Sequence, residues 1–169
     1  MFYNVYDHLR TVEASTAVIF PLVVRNGMKG ETFGIELWGS YALSGWWRID
    51  AGLSTLHKDL RLVSGSRDLF GVRFAGNDPS YQAMLRSSMD LPGNLQFDLD
   101  LRGVDDLPSP RVPGYLEANA RLAWRIMPSV EIAIVGANLL HARHTEFVNP
   151  SIPAQEVPRS VSGTMRWLF

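Results

Sequence analysis

An alternation of apolar and polar residues with period two recurs along most of this chain, and nothing else in the sequence limits its fold as strongly. Leu95, Phe97, Leu99 and Leu101 are separated by Gln96, Asp98, Asp100 and Arg102. From Leu116, Ala118, Ala120, Leu122, Trp124 and Ile126 form one face, and Glu117, Asn119, Arg121 and Arg125 the other. The last segment opposes Val161, Met165, Trp167 and Phe169 to Ser160, Ser162, Thr164 and Arg166. Successive side chains of a strand point to opposite faces, so each segment is expected to be a strand with one dry and one wet face. The same template fits, with less contrast, the segments around Phe33–Leu43, Trp47–Ser54, Tyr81–Asp90 and Val130–Val135, and a weaker strand is expected over Phe2–Val12. Helical periodicity is hard to find, and about eight strands result.

The links between these strands alternate in length. Ser44-Gly45, Leu91-Pro92-Gly93-Asn94 and Met127-Pro128-Ser129 have the chemistry of tight turns. Longer links are expected over Glu13 to Lys29, Val63 to Asp78, Gly103 to Gly114 and His141 to Pro158. An up-and-down sheet built this way carries all its long loops on one side. Transmembrane β-barrels do so, with short periplasmic turns and long extracellular loops.

Alternation alone does not fix which face meets solvent. A soluble barrel turns its apolar face inward, whereas a membrane barrel turns it to lipid and its polar face to the lumen. Three features favour the membrane order. The wet positions are dense in charge: Glu36, Arg48, Asp50, Arg86 and Asp90 in the first half, then Asp98, Asp100, Arg102, Glu117, Arg121, Glu131 and Arg166. Tyr41, Trp47, Trp124, Trp167 and Phe169 sit near strand ends on the dry face, as interfacial aromatics do. The strands are also long enough to span a bilayer when tilted. The expected fold is an all-β, antiparallel, up-and-down transmembrane barrel segment over residues 1–169.

Other classes find little support. Ala14 to Val24, the most apolar stretch, lies between Glu13 and Arg25 and contains Pro21, so no membrane-spanning helix is expected. Met1-Phe2-Tyr3-Asn4 lacks the basic and apolar regions of a secretory signal, so a chain bound for the outer membrane is expected to begin mid-protein or after processing. The 16 Lys+Arg nearly balance the 17 Asp+Glu, which gives no field for nucleic acid. Without cysteine there is neither a disulfide framework nor a thiolate site.

Several motifs resemble those of TonB-dependent outer-membrane receptors. Asn26-Gly27-Met28-Lys29-Gly30-Glu31 through Leu37 is similar to their asparagine, glycine and "GxE" strand, and Phe2 to Arg10 to the strand before it. Val135-Gly136-Ala137-Asn138-Leu139-Leu140 resembles the "NLL" end of their penultimate strand, and Pro158 through Phe169 their closing strand. The ending Trp167-Leu168-Phe169 matches the aromatic-x-aromatic signal read by the barrel assembly machinery, although Thr164 stands where that signal has glycine. The resemblance implies a place in the outer membrane of a Gram-negative bacterium, among its lipids. It also implies a share in uptake of a scarce solute, such as a ferric siderophore or cobalamin, driven by TonB. These receptors have about 22 strands around a plug domain, and nothing in the sequence resembles the plug or a TonB box. Transport by this chain alone is therefore not expected.

Candidate chemistry is sparse. His141 and His144, with Glu146 nearby, could ligate a transition metal, but the spacing is generic and a solvated loop is the plainer expectation. Phe70, Phe74 and Tyr81 could meet a ligand at the mouth or simply pack a loop. No catalytic triad, phosphate loop or carboxylate pair stands out, so neither an enzyme nor a cofactor is expected. The rival readings are a small standalone barrel with a structural or adhesive role and a soluble ligand-binding barrel.

Overall fold

A computed structural model describes residues 1–15, 21–148, 155–167 and 169. Strand β1 (Phe2–Ala14) pairs with β2 (Leu22–Gly34), which runs on through Ile35 into β3 (Glu36–Ser44). Across a tight turn, β4 (Trp47–Thr55) runs through Leu56 into β5 (His57–Leu62). A short helix α1 (Gly71–Ala75) precedes β6 (Tyr81–Leu91) and β7 (Leu95–Val104). The small ladder β8 (Leu107–Pro108) and β9 (Arg111–Val112) leads into β10 (Tyr115–Met127) and β11 (Val130–Ala137). A hairpin of β12 (Arg143–Phe147) and β13 (Gln155–Pro158) is followed by β14 (Ser160–Trp167).

All the strand pairings are antiparallel between neighbours in the chain, apart from the excursions in the links. The β2–β5 and β3–β4 ladders keep one register across Ile35 and Leu56, where Phe33 opposes His57 and Glu36 opposes Ser54. A hydrogen bond of 2.8 Å from Thr55 N–H to the Ile35 carbonyl bridges the break. The order is therefore β1, β2–β3, β4–β5, β6, β7, β10, β11, β14, a meander of the kind the alternation predicts. The fold is an antiparallel β-barrel segment.

All four long links differ from expectation, the third by containing the β8–β9 ladder. Strands β1 and β2 extend much further into the first long link, pairing as far as Ala14 with Leu22. On its other side β2 approaches β4–β5 closely: a Cβ on Gly30 would stand 2.1 Å from the Asp59 carbonyl oxygen, and one on Gly34 2.0 Å from that of Thr55. Such approaches are open to glycine alone. The second link contains α1, opened by Gly71 at φ +71. A helix of five residues is too short to leave a periodic signal. The fourth link is not simply a solvated loop: Arg143 and His144 lie on β12, and His144 is buried.

Burial is inverted relative to a water-soluble fold. The largest fully buried side chains are Glu117 and Thr11, both polar. Leu37, Ile134 and Val161 are respectively 60%, 60% and 69% exposed. Contiguous apolar surface on this scale marks a face built to meet another apolar phase.

Candidate functional site

The register fixes which charges stand together. Cross-strand partners share a face, so Ser40, Asp50, Arg86, Asp100 and Asn119 form one row across five strands. Towards the short turns, Arg48, Ser88, Asp98 and Arg121 form the next even-spaced row. Arg125, Glu131 and Arg166 follow. Towards the long links, Gly52, Met84, Arg102 and Glu117 form a row, and Glu36 lies beyond it opposite Ser54. Asp90, opposite Gln96, has the same parity. The residues expected to form one polar wall are thus gathered on a single face.

Within the wall the charges are paired. Arg86 bonds Asp100, and Arg48 Nε lies 3.4 Å from Asp50 Oδ2. Arg121 holds Asp98 at 3.3 Å with one nitrogen and Glu131 at 2.6 Å with the other. Arg125 lies 3.9 Å from Glu131. Among the described residues Glu36, Asp90 and Arg166 have no ion-pair partner, and Asp90 instead accepts a hydrogen bond from Gln96 Nε2 at 2.9 Å.

The opposite face is apolar. Trp47, Met89, Phe97, Leu122 and Ile134 stand in one row, and Leu91, Leu95, Trp124, Ile132 and Met165 in the next. Trp167 opposes Val130 beside the last turn, so three tryptophans gather at the short-turn end. Tyr41 stands further from the turns, opposite Ile49. Trp47 Nε1 satisfies its one polar atom by donating to Ser87 Oγ at 2.9 Å. Phe169 is fully exposed, and Leu168 of the terminal motif lies outside the described residues.

At the long-link end the wall carries two dry clusters. In the first, Asn138 adopts φ +55, a conformation asparagine tolerates, and ends β11. Its N–H donates to Asn119 Oδ1 at 2.9 Å and its side chain to the Pro158 carbonyl at 3.2 Å. This turn carries Leu140 N–H to 3.1 Å from Glu117 Oε2 and His141 Nδ1 to 2.7 Å from Oε1. His144 lies between Glu117 and Glu146, and Arg102 bonds Glu146. Burial raises the Glu146 pKa, but the bonds from His144 and Arg102 outweigh it and hold the carboxyl below its usual range.

In the second cluster, Glu13 Oε1 accepts hydrogen bonds from Ser66 Oγ at 2.7 Å and Thr11 Oγ1 at 2.9 Å. These two bonds, Ser66 first, lower the Glu13 pKa. Asp68 accepts from Val12 N–H at 2.8 Å and Gly71 N–H at 2.7 Å. The loop after β5 is thereby stapled to the end of β1. A Cβ on Gly27 would stand 2.4 Å from Glu13 Oε1, which gives a packing reason for the glycine of the Asn26-Gly27 motif. Farther along that loop the rings of Phe70 and Phe74 lie 5.5 Å apart, both more than half exposed.

Sequence reasoning grouped His141, His144 and Glu146 and placed Arg102 and Glu117 on the polar wall, but did not bring the two sets together. It missed Thr11, Ser66 and Asp68 altogether, for which Gly27 was the one local sign. Among the described residues no group of three or more His, Asp or Glu has the arrangement of a metal site.

No protein-family model matches the sequence, and no curated protein matches it. Solved structures do resemble it. The copper transporter OprC superposes with a TM-score of 0.67 at 17% identity, over 98% of this chain and 28% of that one. The ferric-catecholate import receptor Fiu from K12 E. coli gives 0.75 at 15% identity, over 99% of this chain and 24% of that one. The ferric yersiniabactin uptake receptor FyuA from Yersinia pestis gives 0.68 at 21% identity, over 86% and 24%. The chain spans about a quarter of the length of these receptors. Its fold is that of a β-barrel portion of the TonB-dependent outer-membrane receptors.

Proposed function

We propose that this chain is part of the wall of an outer-membrane uptake receptor, with its apolar face against lipid and its charged face towards the lumen. The observation that carries the reading is the inverted burial: Glu117 is 1% exposed while Ile134 is 60% exposed. Water would reverse that order, because exposed apolar surface costs about 25 cal/mol per Å². In a bilayer the same surface is at home, and the ladders between β1 and β14 satisfy the backbone groups of the strands inside the segment, the outer edges of β1 and β14 being left for neighbouring strands of the receptor. The tryptophans at the short-turn end then lie at the periplasmic interface, and the two dry clusters at the extracellular rim.

By likeness to receptors named for copper and ferric siderophores, the solute is a scarce metal complex, and its passage is driven through TonB. These eight strand lines supply wall rather than passage, since a barrel of about eight strands is filled by its own side chains. The wall pairs Arg86–Asp100 and Arg121–Glu131 give a polar lining that leaves the transport chemistry to the rest of the receptor. Assembly through Trp167 and Phe169 by the barrel machinery, and a non-enzymatic role, belong to the same reading.

Single cysteines at Ile134 and at Asp98 test the orientation in isolated outer membranes. Ile134→Cys should resist a membrane-impermeant maleimide and react with a lipid-soluble one, with Asp98→Cys showing the opposite preference. Recovery of the protein from the aqueous fraction without detergent would refute the reading. Loss of labelled ferric siderophore or copper uptake on deleting the gene would identify the solute class.

A further inference from the structure

We propose that Glu117, His141, His144 and Glu146 form a proton-operated latch that fixes the β12–β13 hairpin against the charged face of the long sheet. The proposal does not depend on the solute or on coupling to TonB. It rests on the number of protons the geometry needs. His144 presents both ring nitrogens to carboxylates: Nε2 lies 2.9 Å from Glu146 Oε1, and Nδ1 3.2 Å from Glu117 Oε1. A neutral imidazole has one N–H, so one of these nitrogens would turn a lone pair on a carboxylate. The imidazolium has two N–H groups, so it donates to Glu146 through Nε2 and sets positive charge against Glu117 at Nδ1.

Counter-charge points the same way. Glu146 has Arg102, but among the described residues Glu117 has neither arginine nor lysine within ion-pair distance. Among the described residues, the basic groups within ion-pair distance of it are His141, at 2.7 Å, and His144. A carboxylate this buried is costly without a positive partner. His144 is itself 9% exposed, and its Nδ1 has no well-aligned hydrogen-bond partner, so its contact with Glu117 is one of charge.

The other groups facing the imidazoles do not replace that charge. Tyr115 of β10 packs on His144 with ring centroids 4.6 Å apart, and the Arg102 guanidinium lies over the Tyr115 ring. Arg111 of β9, which packs on β12, is exposed. On β13, Glu156 is engaged by Arg143 at 3.7 Å. The imidazole protons are therefore the adjustable part. With them, His144 of β12 and His141 before it both set positive charge against Glu117 of β10, beside the bond from Arg102 of β7 to Glu146; without them, Glu117 is left buried with no opposing charge. Removing those protons by raising the pH should loosen residues 138–147 while the sheet below stays paired.

Amide hydrogen exchange of the protein in outer-membrane vesicles tests this. After correction for the intrinsic rate, exchange over 138–147 should be about fivefold or more faster near pH 8 than near pH 5.5, with no change over 82–90. His144→Gln should exchange fast at both values and abolish the pH ratio. A wild-type ratio within about twofold would overturn the latch without any variant being needed. So would a pH ratio that persists in the His141→Gln, His144→Gln double variant.

Discussion

Arg121 and Glu117 stand on the same strand and the same face, yet their surroundings differ in kind. The Arg121 side chain is 30% exposed and shares two carboxylates, Asp98 and Glu131, in a ladder continued by Arg125. Glu117 is 1% exposed, and its charged contacts are histidines. The wall is built from arginines, which stay charged at any working pH, and from pairs open to water, which are worth little individually. The rim is built from buried carboxylates bonded by histidines, hydroxyls and backbone N–H groups, where each lost partner leaves another unsatisfied. One face thus carries a redundant lining and a non-redundant fastening. The difference follows from burial, since the residue types overlap.

The contrast can be broken at its strongest point. Glu117→Ala should cost about 2 kcal/mol, because it strands the Leu140 N–H and both imidazoles. Urea unfolding in lipid vesicles, followed by tryptophan fluorescence, would measure it. A loss no larger than that of a wall variant would erase the distinction. Gly27→Ala should cost about 1 kcal/mol by pushing Glu13 and Ser66 apart, and cleavage between Ser64 and Leu69 by added protease should rise with it.

Acid acts on that second cluster without mutation. Glu13 has a lowered pKa, so its contribution is fully present above the ordinary carboxylate range and is lost as the pH falls through the folded value. Exchange over residues 63–70 should therefore rise below about pH 4, opposite in sign to the histidine latch. The smallest effect belongs to Arg48→Ala. Its partner lies 3.4 Å away and its side chain is 59% exposed, so a change of about 0–0.5 kcal/mol is expected. A larger loss would mean that the wall is not redundant.

Much of the wall was legible in the sequence because a strand writes its two faces into alternate positions. Asp98, Asp100 and Arg102 read as one face from the sequence alone, and the register aligns them with Arg121, Arg86 and Glu117. The rim was not legible for the opposite reason. Glu117 meets His141 because the Asn138 turn ends one ladder and β12–β13 begins another with a changed pairing offset. No local pattern states that offset. Helix α1 and the β8–β9 ladder were missed because elements this short repeat nothing. The burial of His144 involves Tyr115, which is distant in sequence and brought against it only by the fold.

The uninterrupted register also sets what kinds of change the chain can inherit. A substitution in β10 alters one position, but deleting one residue there exchanges the two faces for everything beyond it until a turn restores the count. On the proposed orientation, Arg121 would be carried to the lipid side, where an arginine near the bilayer centre costs about 2–4 kcal/mol, and Leu122 into the lumen. Gains and losses of residues should therefore collect in the links between β5 and β6 and between β7 and β10. Within the spans, variation should run in steps of two, so that length becomes a stricter inheritance than identity.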